Sequence, residues 1–301
     1  MQSSSPQPAS QQPPSSQLRG LKPRVGDFFA HDGLPVGGIA VALMLGTYAL
    51  LALPPSGPLL VLACCGTVLI YQLDRLLGFS PEDDVNRPGR RRWMRTYRPY
   101  VLTTIAGALI AGGAMLMLVQ PITALVGAGL GAVGLLHVWP MGPGGRRLKA
   151  WGWIKPVAIS GAWAAGAVVL PVLEADRSLT SGVWALAAYR FGIVGVNTLL
   201  ADWSDRVGDA RVGLQTIATG TPTGFVFYVA YALLAFVLGG GLGAVVAGEA
   251  PPLLLVDLIG VLLLGGVVRR VQCDTVWAHH IAVDAVVAWP AVTFLVAWLG
   301  G

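Results

Sequence analysis

Three aspartates stand close together at the end of an apolar run, in a chain that has only 15 acidic residues. Asp202, Asp205 and Asp209 lie in the stretch ADWSDRVGDARVGLQT, directly after FGIVGVNTLL. At about 100° per residue of a helix, this spacing places them within about 60° of one another. Like charges on one helix face repel, so a cation should offset them. Arginines could supply that charge, or Mg²⁺ could, since it takes one or two carboxylates with waters and phosphate oxygens.

The composition shows which class of protein must position these side chains. Hydrophobic residues make up 54% of the chain, charged residues 12%, and the mean hydropathy is +0.67. Soluble proteins have about 25% charged residues, so the chain is a polytopic membrane protein. Its expected partners include membrane lipids and exclude nucleic acid. Residues 1–25 are rich in Gln, Ser and Pro and predict a disordered tail; residues 26–301 form the transmembrane domain.

Nine stretches are long and apolar enough to cross the bilayer as helices, which requires about 20 residues each. Helices are expected because lipid does not tolerate open sheet edges. The predicted fold is therefore all-α, a bundle of nine transmembrane helices. The predicted spans are 34–53, 58–77, 100–119, 121–140, 155–174, 182–201, 222–246, 252–269 and 278–299.

The basic residues predict the orientation of these spans. Eighteen of the twenty lysines and arginines lie in the tail and in joints 2–3, 4–5, 6–7 and 8–9, all on one side of nine spans. The positive-inside rule places that side in the cytoplasm. We therefore expect an integral protein of the cytoplasmic (inner) membrane, with its N-terminus and aspartate-rich loops facing the cytoplasm.

The aspartates belong to a longer frame, D-x-x-D-x-x-G-D-x-x-x-G-x-x-T, which Gly208, Gly213 and Thr216 complete. This frame resembles the second Asp-rich motif of the UbiA family of intramembrane prenyltransferases. That family has nine transmembrane helices and two such motifs, on cytoplasmic loops 2–3 and 6–7. The frame lies in joint 6–7 here, on the side that the basic residues assign to the cytoplasm.

The family's first motif, N-D-x-x-D-R-x-x-D followed by N-R-P, is matched only in part by IYQLDRLLGFSPEDDVNRPGRRRW in joint 2–3. Asp74 and Arg75 match the D-R pair, and residues 86–88 match N-R-P. Ile70 and Tyr71 replace the leading Asn-Asp, so the first motif is divergent. An alternative role for Asp74 is a salt bridge to a neighbouring arginine. For Asp83 and Asp84 the alternative is a place in the first turn of a short helix, where acids meet the helix dipole favourably.

The resemblance implies a set of site residues. The expected metal ligands are Asp74, Asp84, Asp202, Asp205 and Asp209, all but Asp84 also counted as catalytic. The expected diphosphate-binding residues are Arg75, Arg87, Lys149 and Asn197. Lys149 is preferred to Lys155, which we expect to lie deeper and to serve helix packing. For both lysines, ordinary positive-inside charge is the alternative, and for the α-helical aspartate trio it is a solvated charged face.

The implied reaction is the Mg²⁺-dependent transfer of a prenyl group from a prenyl diphosphate to an aromatic or lipid acceptor within the membrane. One alternative is a non-catalytic protein of the same fold that binds prenyl lipids. A transporter is the other, but the chain shows no inverted repeat, and its acids concentrate at one membrane face.

Two charged residues fall inside predicted spans. Arg190 lies twelve residues before Asp202, and Asp257 lies twelve residues before Arg269. Twelve residues of helix rise about 18 Å, so Arg190 and Asp257 should lie at similar depth. Because an unpaired charge within the membrane is costly, we predict a buried ion pair between them.

Overall fold

The computed structural model describes residues 28, 31–77, 85–86, 89–139, 152–273 and 278–300. Within these ranges the apolar runs are helical, because a backbone without water must satisfy its hydrogen bonds internally. The helices are α1 (Leu34–Leu50), α2 (Gly57–Leu77), α3 (Arg90–Thr96), α4 (Arg98–Leu116), α5 (Pro121–Val138), α6 (Ile154–Glu174), α7 (Ser181–Arg211), α8 (Ile217–Gly220), α9 (Thr223–Val246), α10 (Leu254–Cys273), α11 (Ala278–Val287) and α12 (Pro290–Gly300).

The all-α membrane fold is confirmed. Six helical segments of the described chain are long and apolar enough to cross a membrane: Gly57–Leu77, Arg98–Leu116, Ile154–Glu174, Ser181–Arg211, Gly224–Val246 and Ile281–Gly300. Leu34–Leu50 and Pro121–Leu136 are shorter apolar helices. Every predicted span overlaps helix, and span 278–299 contains two helices, α11 and α12. The number of nine crossings stays a prediction. The predicted tail, residues 1–25, lies outside the described residues.

The helices pack in a closed ring. Helix α1 packs between α2 and α12, α2 contacts α4 and α5, α5 contacts α6, and α6 packs on α7. The ring continues from α7 to α9, from α9 to α10, and from α10 to α11 and α12. We call the end at which α2 and α7 finish and α6 begins the motif end. Both aspartate motifs of the sequence therefore fall at the motif end.

Helix α6 contains a π-helical turn over Ala165–Val169. Pro171 lies two residues after the end of this turn. A proline inside a helix lacks the N–H that would bond the carbonyl four residues earlier. One wide turn accommodates that defect without ending the helix. Three residues in or beside this turn, Gly166, Ala167 and Leu170, line a cavity described below.

The predicted ion pair inside the bundle is confirmed. Arg190 Nη1 of α7 donates to Asp257 Oδ2 of α10 at 2.6 Å, and Arg190 Nη2 lies 3.5 Å from Asp257 Oδ1. Thr293 of α12 also donates to Asp257 Oδ1, at 2.8 Å. All three residues are buried. Three helices are therefore joined by one polar cluster in an apolar interior.

At the end opposite the motif end, Glu174 joins two loops to the last turn of α6. Its carboxylate accepts from Ser56 Oγ at 3.2 Å and from the Gln120 backbone N–H at 2.9 Å. These contacts tie together the joints α1–α2 and α4–α5.

We expect Arg190→Met to destabilise the protein strongly, by about 3–5 kcal/mol, because it leaves the carboxylate of Asp257 buried without its cation. Arg190→Met combined with Asp257→Leu should recover most of that loss, since no charge then remains buried. Thermal unfolding of the purified protein in detergent measures both effects. Arg177→Met, at an exposed arginine, is the control. Equal destabilisation of the single and the double variant would contradict this account.

Candidate functional site

Helix α7 carries all three aspartates of the second motif within its 31 residues. The side chains of Asp202 and Asp209 are buried, at 1% and 6% exposure, and Asp205 is half-buried. The alternative of a solvated charged face is therefore wrong for Asp202 and Asp209. Burial makes their mutual repulsion stronger, because the surrounding dielectric constant is lower.

A lysine meets the most buried of these carboxylates. Lys155, on the first turn of α6, donates from Nζ to Asp202 Oδ1 at 2.5 Å. Asp202 Oδ2 is also buried and has no hydrogen-bond partner among the described residues. The sequence preferred Lys149 to Lys155 for a role in the site. Lys149 lies outside the described residues, and Lys155 is the lysine that the structure brings to the aspartates.

Arg206, the first of two arginines inside the second motif, contacts a tryptophan of its own helix. Arg206 donates to the backbone carbonyl of Trp203 at 2.6 Å, and its guanidinium carbon lies 3.8 Å from the centroid of the Trp203 ring. This is a cation–π contact within one helix. The sequence left two sources of compensating charge open, arginines or a divalent cation. Arg206 makes its contacts with Trp203, and Lys155 supplies part of the positive charge that meets Asp202.

The two motifs touch each other through Asn86 and Gly208. The Gly208 backbone N–H donates to Asn86 Oδ1 at 2.7 Å. A Cβ at Gly208 would lie 2.5 Å from Asn86 Cγ, so any larger residue would displace the Asn86 side chain from this contact. Sequence reasoning matched Asn86 to N-R-P but gave it no role. The glycine in the frame next to Asp209 was the available signal for a close approach.

The other two members of the frame shape the chain after α7. Gly213 has φ +72°, a left-handed conformation that favours glycine, and it lies just past the helix end. Thr216 is the N-cap of α8 and forms a capping box with Thr219. The frame is thus a set of carboxylates followed by the residues that end one helix and start the next.

The first motif places Asp74 and Arg75 on the last turns of α2. Asp74 Oδ2 lies 3.3 Å from Arg90 Nη2 of α3, so the predicted alternative, a salt bridge to a nearby arginine, is present. Arg75 is buried, with its guanidinium carbon 5.7 Å from the centroid of the Tyr71 ring. The sequence gave Arg90 no role in the site.

An apolar cavity of about 320 Å³ extends from Asp74 between α1, α2, α5 and α6. On α2 its lining forms one continuous stripe with helical spacing: Leu59, Leu62, Ala63, Gly66, Thr67, Ile70, Tyr71 and Asp74. On α6 it begins at Ala158 and Ile159, one turn beyond Lys155. Asp74 is the one acidic side chain among the described residues of the lining. The α7 aspartates and Lys155 do not belong to the described lining of this cavity.

The remaining predicted site residues are not joined to this group by the structure. Asn197 is half-buried on α7, five residues and about 7 Å of rise before Asp202. Asp84, Arg87 and Lys149 lie outside the described residues, so their roles stay predictions.

The donor set fits a hard divalent cation. No three His, Cys, Asp or Glu side chains among the described residues lie close enough together to hold a metal by themselves. Mg²⁺ does not require this, since it typically takes one or two carboxylates and completes its shell with waters and phosphate oxygens. Asp202 Oδ2, buried and without a partner in the described chain, is suited to such a ligand.

Comparison with known proteins identifies the fold. No protein-family model and no curated protein match this sequence. Among solved structures, a UbiA homolog from Aeropyrum pernix K1 in its apo form matches with a TM-score of 0.61 and 14% identity, over 87% of this chain and 97% of that chain. A UbiA homolog from Archaeoglobus fulgidus bound to GPP and Mg²⁺ matches with a TM-score of 0.55 and 12% identity, over 87% and 96%. A digeranylgeranylglyceryl phosphate synthase matches with a TM-score of 0.54 and 12% identity, over 91% of this chain and 95% of that chain.

The chain therefore has the UbiA fold, as the resemblance of its second motif predicted. At 11–14% identity these likenesses concern the fold. The chemistry has to be argued from the side chains.

We expect Gly208→Ala to destabilise the protein by about 1–3 kcal/mol, because the added methyl group displaces Asn86 from a packed contact. Gly220→Ala is the control, since a Cβ there meets nothing within 4 Å. Asn86→Ala should make Gly208→Ala tolerable, and thermal unfolding of the four proteins of this cycle measures the coupling. Additive losses would show that the two motifs do not depend on this contact.

Proposed function

We propose that the protein is a Mg²⁺-dependent prenyltransferase, which transfers a prenyl group from a prenyl diphosphate to an aromatic or lipid acceptor within the membrane. The observation that carries this proposal is the presence, in one part of the bundle, of a charged group of side chains and an apolar cavity. Buried Asp202 is bound to Lys155 through one oxygen and is open at the other. Lys155 lies one turn before the first α6 residues of a cavity that has apolar walls and Asp74 in its lining. A diphosphate ester of a hydrocarbon chain has the same two-part chemistry.

The charged groups at the motif end would bind the diphosphate. Lys155 and Arg75 are cations from two different helices, and Arg90 adds a third on α3. Cations placed where negative charge develops on a leaving group supply the largest share of catalysis in sites of this kind. Asp202 would hold Mg²⁺, with Asp205, Asp209 and Asp74 as the other candidate ligands. When bound, the metal ion would supply positive charge to the diphosphate oxygens.

The cavity walls would hold the hydrocarbon chain and exclude water from the reacting carbon. As the carbon–oxygen bond breaks, its electron pair leaves with the diphosphate and positive charge develops at the allylic carbon. Tyr71 and Trp163 line the cavity, and aromatic faces stabilise nearby cations. The acceptor then forms the new bond to that carbon and loses a proton. A dry, apolar surrounding prevents capture of the cation by water.

The orientation is part of the proposal. By the positive-inside rule, the lysines and arginines of the predicted joints would face the cytoplasm together with the N-terminus and both motifs. The bundle would then lie in the inner membrane. The donor would then enter its diphosphate at the motif end, and an acceptor of lipid or aromatic character would enter from the bilayer.

One observation favours the second candidate, a non-catalytic protein that binds prenyl lipids. Where the resembled motif begins with Asn-Asp, Ile70 and Tyr71 form part of the apolar wall. Ile70 Cδ1 would lie 2.4 Å from a Cβ at Gly134 of α5, so this side chain is packed tightly into the helix interface. The first motif therefore contributes Asp74 but not the preceding pair of polar residues.

We expect Asp202→Asn to reduce the Mg²⁺-dependent release of pyrophosphate from a prenyl diphosphate roughly a hundredfold or more, since it removes a buried charge at the leaving group. The assay uses purified protein, radiolabelled donor and membrane lipid extract as the source of acceptor. Asp176→Asn, at an exposed acid near the opposite end of the bundle, should leave the rate unchanged.

Release that Asp202→Asn does not diminish would overturn the assignment of the site. Binding of the donor without release by the wild-type protein would favour the lipid-binding candidate.

The same cavity sets an expected length of the donor chain. From Asp74 to Leu59 the α2 stripe spans fifteen residues, or about 22 Å. Four main-chain carbon–carbon bonds of about 1.5 Å make an isoprene unit about 5 Å long when extended, so roughly four units fit. At its far end the cavity reaches Met44, Leu59 and Leu170, all buried in one apolar cluster with Tyr48 and Val119.

We expect Leu59→Ala to shift the choice of donor towards chains longer than about four isoprene units, by several-fold in relative kcat/KM, because it opens the closed end of the cavity. Competition between short and long donors measures this ratio, which does not depend on how much of the variant is folded. Val61→Ala, at an exposed position of the same helix, is the control. An unchanged ratio would contradict a length limit at Leu59.

A further inference from the structure

The short helix α3 lies at the boundary of the membrane because of its place in the chain. Arg98, the first residue of the membrane-length helix α4, is separated from α3 by Tyr97 alone. α3 therefore lies where the hydrocarbon of the bilayer gives way to phospholipid headgroups. Half-buried Tyr97 and Tyr100 accompany it, as is typical of tyrosines at such boundaries.

The two faces of α3 differ in what they contact. Trp93 and Met94 are buried and pack with Val101 in one cluster. Arg90, which pairs with Asp74, lies within about 60° of both on the helix surface. Arg92 and Arg95 lie on the opposite face, about 140–160° from Arg90, and are exposed. Arg98, the first residue of α4, is exposed as well.

We propose that α3 binds anionic phospholipid headgroups through Arg92, Arg95 and Arg98, and thereby holds Arg90 against the rim of the cavity. Phospholipids with anionic headgroups are the abundant negatively charged groups at the membrane boundary. Their negative charge complements the positive charge of these arginines. Guanidinium groups bind phosphate oxygens in a bidentate manner. Arginines near an anionic membrane surface each contribute about 1 kcal/mol to such binding, or roughly fivefold.

The burial of Trp93 and Met94 distinguishes this surface from an ordinary positively charged loop. These side chains fix the rotation of α3, so Arg92 and Arg95 must point away from the protein while Arg90 points into it. Headgroup binding on one face and the pairing with Asp74 on the other are thus joined by one rigid helix. The inference rests on the fold and on these contacts, and does not depend on the proposed reaction.

The test measures which lipids remain bound to the full-length protein. The protein is reconstituted in nanodiscs of phosphatidylcholine mixed with phosphatidylglycerol and then analysed by native mass spectrometry. We expect the wild-type protein to retain phosphatidylglycerol in preference to phosphatidylcholine. Arg92→Gln combined with Arg95→Gln should lower the retained phosphatidylglycerol roughly thirtyfold, for two arginines at about 1 kcal/mol each. Raising the salt concentration should weaken the preference of the wild-type protein.

The matched control is Arg269→Gln combined with Arg270→Gln. It removes the same charge from two exposed arginines at the end of α10, where α3 is not involved. This variant should lose less of the preference than the Arg92 and Arg95 variant does. Equal loss in both double variants would overturn the proposal in favour of general charge attraction, as would a wild-type protein that shows no preference between the two lipids.

Discussion

The buried ion pair between Arg190 and Asp257 is the constraint on which the rest of the bundle depends. Two charges without water are tolerated only when they stay in contact, since separating them leaves each one in a low dielectric. α7 can therefore neither slide along α10 nor rotate against it. Thr293 extends the same restriction to α12. Because Asp202 lies about 18 Å further along α7, the position of the aspartates at the motif end follows from this contact.

Three acids of the described chain pair with cations from other helices, one inside the bundle and two at the motif end. Asp257 pairs with Arg190, Asp202 with Lys155, and Asp74 with Arg90. In the first two pairs the partners are 67 and 47 residues apart in the sequence, so these charges help to specify which helices become neighbours. The inner pair leaves no oxygen of Asp257 open, whereas Asp202 keeps one. That difference separates a pair that stabilises the fold from one that can also take a ligand.

The divergence of the first motif has a structural counterpart. Ile70 and Tyr71 continue the apolar stripe of α2 up to Asp74, so the cavity wall reaches closer to the charged end than polar residues at these positions would allow. The charges at this end are then supplied by Arg75 and by Arg90 of α3. Because α2 contributes more apolar wall and fewer carboxylates, the α7 aspartates and Lys155 are the principal charged groups of the motif end.

The sequence by itself determined the membrane class, the helical segments, the buried ion pair and the resemblance to the UbiA fold. The first three follow from local composition or from helical spacing, because α-helix geometry and the cost of buried charge are independent of the other details of packing. The resemblance depends on the particular residues of the second motif. Lys155 and Arg90 were not assigned in this way. The partner of Lys155 lies 47 residues away on another helix. For Asp74 the sequence suggested a neighbouring arginine but not which one, because many basic residues occur near the same membrane boundary.

Only the tertiary structure decided which lysine meets Asp202, that Asn86 contacts Gly208, and that Asp74 lies at the rim of a long apolar cavity. These contacts depend on the rotation and depth at which helices meet. Sequence spacing gives the face of one helix, but the packing of two helices chooses which residues of those faces touch.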